Sequence, residues 1–79
     1  MGIMFEIITP FAGTVSRIMF HLGDKVEEGD VLFSLVNNGV NYDILSPISG
    51  YFDRIEVDKG DQVLSGMILG CIKESNSRE

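Results

Sequence analysis

The chain has one cysteine, one histidine, no tryptophan, two prolines and only six lysines and arginines among its 79 residues. Each scarcity removes a class of protein. A single thiol cannot close an intramolecular disulfide, and Cys71, set in the apolar run MILGCI, reads as a buried thiol serving as a small hydrophobe. His21 has no Asp, Glu or Cys around it at the spacing of a zinc set or a nucleophile–base pair, so it reads as a surface-loop residue. No G-x-G-x-x-G or Walker sequence is there to cradle phosphates. No run approaches the roughly 20 apolar residues of a membrane span. The opening MGIMFEIITP has no basic segment ahead of a long apolar one, so the expectation is a cytoplasmic protein without membrane contact.

Positive charge is the other shortage. Twelve Asp and Glu against six Lys and Arg give a formal net charge of -6 at pH 7, and no cluster of basic residues offsets it locally. A nucleic-acid partner is excluded, because phosphate binding requires a basic surface. An acidic surface keeps a small domain soluble and can steer it towards a basic protein without identifying one. The adjacent carboxylates Glu27 and Glu28 sit in a polar turn, and acid catalysis by them would need a buried cleft that a domain this small can hardly make. A chain of this length buries about 60–65% of the surface it exposes when unfolded, enough for a single compact core.

What the sequence has in abundance is turn chemistry between short apolar runs. In SLVNNGVNYDILSP, Ser34 to Pro47, two strand-like runs flank Asn38-Gly39, the strongest short-range signal for a two-residue type I′ hairpin. Both central residues of such a turn need φ > 0, which Asn and Gly tolerate best.

An internal duplication organises the rest. FEIITPFAGTVSRIMFHLGDKVEEGDVLFSL from Phe5 overlays YDILSPISGYFDRIEVDKGDQVLSGMILGCI from Tyr42 at one constant offset without a gap. Pro10 falls on Pro47, Gly13 on Gly50, Arg17 on Arg54, Gly23-Asp24 on Gly60-Asp61, Val26 on Val63 and Gly29 on Gly66. Thr9 falls on Ser46, Glu6 on Asp43 and Leu32 on Leu69. Two copies this short cannot be solenoid units, so they read as halves of one domain related by a pseudo-two-fold axis. Each half reads as strands: TVSRIMF and YFDRIEV are rich in β-branched and aromatic residues, turn signals recur every eight to twelve residues or so, and no helical period appears. Val26 and Val63, between paired turn signals, are expected to tuck into the core, and Ile18, Ile55, Leu32 and Leu69 to lie at its centre.

With these residues in place the chain resembles the biotinyl/lipoyl attachment domains, the biotin carboxyl carrier type included. The pattern P-x-x-G-T-V-x-x-I with G-D-x-V-x-x-G-D-x-L, a tight hairpin, then S-P-x-x-G with I-x-V-x-x-G-D-x-V-x-x-G-x-x-L runs from about Phe5 to Ile72. The resemblance implies an all-β fold: a flattened barrel or sandwich of two four-stranded antiparallel sheets with pseudo-two-fold symmetry, a barrel-sandwich hybrid. The domain is expected over residues 1–73, with 74–79 as a disordered polar tail.

In that family the hairpin tip carries the lysine that receives biotin or lipoate, typically within A-M-K-M or T-D-K-A. Here VNNGV takes that place, and Gly39 stands where the lysine should be. Attachment needs a primary amine to attack an acyl-adenylate, and none of Asn37, Asn38, Gly39 and Val40 supplies one. The hairpin is therefore expected to be a degenerate attachment site that holds no cofactor. Of the three lysines, Lys25 and Lys59 lie in or beside the Gly-Asp loops and Lys73 follows the last strand, so all read as ordinary surface residues. PFAG is close to the P-M-P-G of biotinyl domains but lacks its second proline, whereas DILSP is closer to the lipoyl pattern E-x-x-S-P.

Two functions follow from the resemblance. The first is a non-catalytic accessory or regulatory module that docks, as a protein partner, on carboxylase, decarboxylase or other carrier-using enzyme subunits. The second is a true biotin or lipoyl carrier modified at a non-standard lysine. A prosthetic-group adduct in the intact mass separates them.

Overall fold

A computed structural model of the chain describes residues 2–75. Eight strands form in it: β1 Met4–Ile8, β2 Gly13–Ile18, β3 Lys25–Val26, β4 Val31–Asn37, β5 Val40–Leu45, β6 Gly50–Ile55, β7 Gln62–Val63 and β8 Ile68–Glu74. No helix of the structure is long and apolar enough to cross a membrane. The strands make two four-stranded antiparallel sheets, ordered β1-β8-β6-β3 and β5-β4-β2-β7. The sheets do not close on each other, so the fold is a sandwich with β1, β3, β5 and β7 at its edges. Each sheet draws strands from both halves of the sequence, so neither half has a complete sheet of its own.

The pairings repeat from half to half. Leu35 pairs with Tyr42 as Ile72 does with Phe5, and Val15 pairs with Leu35 as Phe52 does with Ile72. The register slips between Val15 and Arg17 and again between Phe52 and Arg54, equivalent places on β2 and β6. Gly13 is required by its neighbour across the ladder: a Cβ there would lie 2.7 Å from the Val36 carbonyl oxygen, inside any real contact.

Four turns share one geometry. In His21-Leu22-Gly23-Asp24 the glycine has φ 88°, the last N–H returns to the first carbonyl, and Asp24 Oδ2 accepts the His21 N–H at 2.8 Å. Asp30 closes 27–30 and Asp61 closes 58–61 in the same way. In 64–67 the closing residue is Met67, whose Sδ takes the Leu64 N–H at 3.1 Å.

The core lies between the sheets. Leu32, Leu69, Val26 and Val63 are buried there as expected, with Val15, Leu35, Ile72, Phe33 and Phe52 around them. Ile18 and Ile55 are not at its centre. They end β2 and β6, are partly buried against the core, and face an open groove. Cys71 is buried, as read, but it is not part of the core cluster: strand alternation gives Ile72 the core and turns Cys71 outward, in register with Glu6 and Arg54, where it lines a surface groove with both. Glu74 is the last residue of β8 and its N–H donates to the Ile3 carbonyl at 2.8 Å, while 76–79 lie outside the described residues.

Candidate functional site

The β4–β5 hairpin follows from its own residues. The run Leu32 to Leu35 on β4 is buried, the Asn37–Val40 pair closes the ladder, and Asn38-Gly39 is left as the two-residue turn. Asn38 has φ 53° and Gly39 φ 77°, the sign that a type I′ turn requires at both positions and that matches the twist of the strands it joins. Asn38, Gly39 and Val40 are exposed, and a Cβ at Gly39 would meet nothing within 4 Å.

Asn37 points the other way. Its Nδ2 donates to the Ala12 carbonyl at 2.7 Å, tying the hairpin to the loop between β1 and β2. On β5, Tyr42 stacks against Phe11 of that same loop with ring centroids 4.4 Å apart and planes 21° from parallel. The loop is anchored from beneath by the fully buried Thr9. Its Oγ1 donates to the Phe11 carbonyl at 2.7 Å and accepts the Phe11 N–H at 3.1 Å. Ser46 makes the equivalent bond to Ile48 at 2.7 Å. The tip is thus held by a braced stem. None of these contacts is readable from spacing, although an aromatic residue inside the turn PFAG is the feature that sets Phe11 apart.

Among the four tip residues there is no nucleophilic or titratable side chain. The lysines lie on other elements, Lys25 on β3, Lys59 in the turn between β6 and β7, and Lys73 on β8, in register with Met4 and Tyr51. His21 is 94% exposed at its side chain, 3.6 Å from Asp24, and Glu27 and Glu28 are exposed. No three His, Cys, Asp or Glu side chains gather as metal ligands among the described residues.

Open grooves mark the surface of the described residues. A groove of about 310 Å³ runs beside the hairpin tip, between Asn37 and Asn38 on one side and Gln62 and Leu64 on the other, with no titratable lining residue. Another, about 610 Å³, lies between Ile18 and Ile55, Phe20 and Val57, and His21 and Asp58. These pairs are equivalent positions of the duplication read in the sequence. The third, about 400 Å³, is the one Cys71 lines with Glu6, Arg54 and Glu56.

A family model described as "Biotin-requiring enzyme" (Biotin_lipoyl) matches residues 5–72. No curated protein matches the chain. Among solved structures, the chain is similar to a single-chain, multi-domain long-chain acyl-CoA carboxylase, with a TM-score of 0.85 at 20% identity over 92% of this chain and 7% of that one. It is similar to the urea carboxylase of Kluyveromyces lactis, with a TM-score of 0.83 at 21% identity over 89% of this chain and 6% of that one. It is also similar to a succinylglutamate desuccinylase/aspartoacylase from Rhodobacter sphaeroides, with a TM-score of 0.73 at 14% identity over 87% of this chain and 22% of that one. The chain therefore spans a small fraction of each of these, and the same fold serves in chains named for unrelated chemistries.

Proposed function

Because the chain belongs to the biotin/lipoyl attachment-domain family, we propose that it is a non-catalytic member without the modifiable lysine, an accessory or regulatory module that docks on subunits of a biotin-dependent carboxylase, a decarboxylase or another carrier-using complex. The reading is carried by the Asn38-Gly39 turn. Both φ values are positive, and a lysine forced into Gly39's conformation would be strained by about 1 kcal/mol or more. The tip is built for tightness.

The tip residues do not fit a covalently held biotin or lipoate. An amide to either group needs a primary amine, and neither the Asn37 and Asn38 amides, nor Gly39, nor Val40 can act as the nucleophile. What remains is the shape that a carrier presents to its enzyme: a protruding bend on a braced stem. Such a surface can occupy a carrier's docking position without delivering a group, which makes it a competitor or a structural spacer. Support for carboxylase-type partners comes from the two carboxylase chains in which similar domains occur.

The intact mass of the protein isolated from its own cells tests the reading. The expected result is the bare chain mass. A biotinyl or lipoyl adduct on Lys25, Lys59 or Lys73 would overturn it and make the chain a working carrier. The second arm is a binding measurement against biotin-dependent carboxylase subunits of the same cells, where association is expected and its absence from all of them counts against a docking role.

A further inference from the structure

The two halves of the repeat give an internal control on what the fold demands. Three turns of the same shape are closed by an aspartate, Asp24, Asp30 and Asp61, and the fourth by Met67. A thioether is a much weaker acceptor than a carboxylate, so the fold gains nothing from methionine at that place. The exchange removes a charge. The same holds at the neighbouring positions: Gln62 stands where the other half has Lys25, Leu64 where it has Glu27, Ser65 where it has Glu28, and Val36 and Asn37 where it has Lys73 and Glu74. Both sets occupy matching registers, Gly13 with Val63 and Gly50 with Val26, so packing does not impose neutrality on one end.

Val36, Asn37, Gln62 and Leu64 line one groove beside the hairpin tip, whereas Met67 also lines the groove of Glu6, Arg54 and Glu56. The groove between Asn38 and Leu64 joins β4 to the β7 turn, Ser65 Oγ donates to the Pro10 carbonyl at 3.1 Å, and Asn37 reaches Ala12. Three large apolar side chains stand in water there: Leu64 is 69% exposed, Val40 49% and Phe11 39%. At the opposite end, Ser49 links Glu27 and Glu28, and Lys25 lies 3.9 Å from Glu27.

We propose that this end of the sandwich, Phe11, Val40 and Leu64 around the Asn38-Gly39 tip, is a dry docking face that enters an uncharged, apolar hollow on a protein partner. The proposal rests on the docking role given above and adds the chemistry of the contact. Charged groups resist removal from water unless each finds a partner, so an end stripped of them is desolvated at less cost than surface that carries them. The net charge of -6 thus belongs to the part of the molecule that stays wet. Neutral complementarity selects an apolar hollow over a basic groove.

The experiment is equilibrium binding to the carboxylase subunits of the source cell. It compares the unaltered protein with Leu64→Asp, Val40→Asp, Met67→Asp and the control Glu27→Gln/Glu28→Gln, each at low and high salt. Each Asp variant is expected to weaken binding about tenfold or more, with the control within about twofold and salt shifting the dissociation constant by less than about threefold. Met67→Asp is informative because it is expected to raise the melting temperature while weakening binding, which a purely structural role would not produce. Equal binding by both exposed-site variants, or loss of binding in the control or in salt, overturns the dry face while leaving the docking role standing. No binding by the unaltered protein overturns both. A concentration-dependent dimer in sedimentation that Leu64→Asp abolishes would show the occupant to be a second copy and overturn the hollow on a partner.

Discussion

Phe33 and Phe52 meet edge to face across the two sheets, ring centroids 5.7 Å apart at 87°, yet they are not equivalents in the repeat. Phe33 corresponds to Gly70, and Phe52 to Val15. One bulky ring from each half fills the space between the sheets, and glycine stands opposite: a Cβ at Gly70 would strike the Arg54 carbonyl oxygen first and would also come within 3.1 Å of the Phe52 ring. The pseudo-symmetry of the backbone is thus broken in the core, because two large and two small residues fill a single interior better than four of middling size.

Truncating either ring should be severe. Phe33→Ala and Phe52→Ala are each expected to lower the unfolding free energy by about 3–5 kcal/mol, since both side chains are essentially fully buried. The double variant should lose less than the sum of the two, because each ring is the other's packing partner. Urea unfolding with shared m-values checks both statements.

At the tip, Gly39→Ala isolates a backbone effect. The added methyl would touch nothing, so the expected loss of about 1 kcal/mol comes only from holding an L-residue at φ 77°. Thermal melts of the two proteins measure it. An unchanged melting temperature would mean that the turn relaxes to another type.

The brace predicts a local effect. Asn37→Ala removes the bond to the Ala12 carbonyl and should cost about 1 kcal/mol. It should also speed amide exchange on the β4–β5 ladder more than on the β1–β8 ladder, which is its equivalent in the other half. Uniform acceleration of both would show that Asn37 acts on global stability.

Beneath the brace, Thr9→Val keeps the shape and deletes the hydroxyl that serves both Phe11 backbone groups. The expected cost is about 1–3 kcal/mol, from a part-buried N–H and carbonyl left without that partner. Ser46→Ala, with one such bond, should cost less. Chemical denaturation of the two variants ranks them.

The turn closures give a graded series. Asp24→Ala and Asp61→Ala each lose a carboxylate acceptor for a backbone N–H and should destabilise by about 1 kcal/mol. Met67→Asp should stabilise by a similar or smaller amount, being the reverse exchange at the fourth turn. Calorimetry of the three variants places them on one scale.

The strand pattern, the hairpin, the repeat and the buried pairs Val26/Val63 and Leu32/Leu69 were all legible in the sequence. Turn glycines and alternating apolar residues act through local sterics and burial, which the order of residues encodes directly. Other things belonged to the folded chain alone. Ile18 and Ile55 share the repeat's spacing with core residues but sit at strand ends beside an open groove, and Cys71, buried as its apolar run implies, lies outside the core cluster, because a register fixed by neighbouring strands sets which face each residue takes. The Phe11–Tyr42 stack, the Asn37–Ala12 tie and the gathering of neutral residues at one end join segments far apart along the chain. Only close packing between the halves could bring them together.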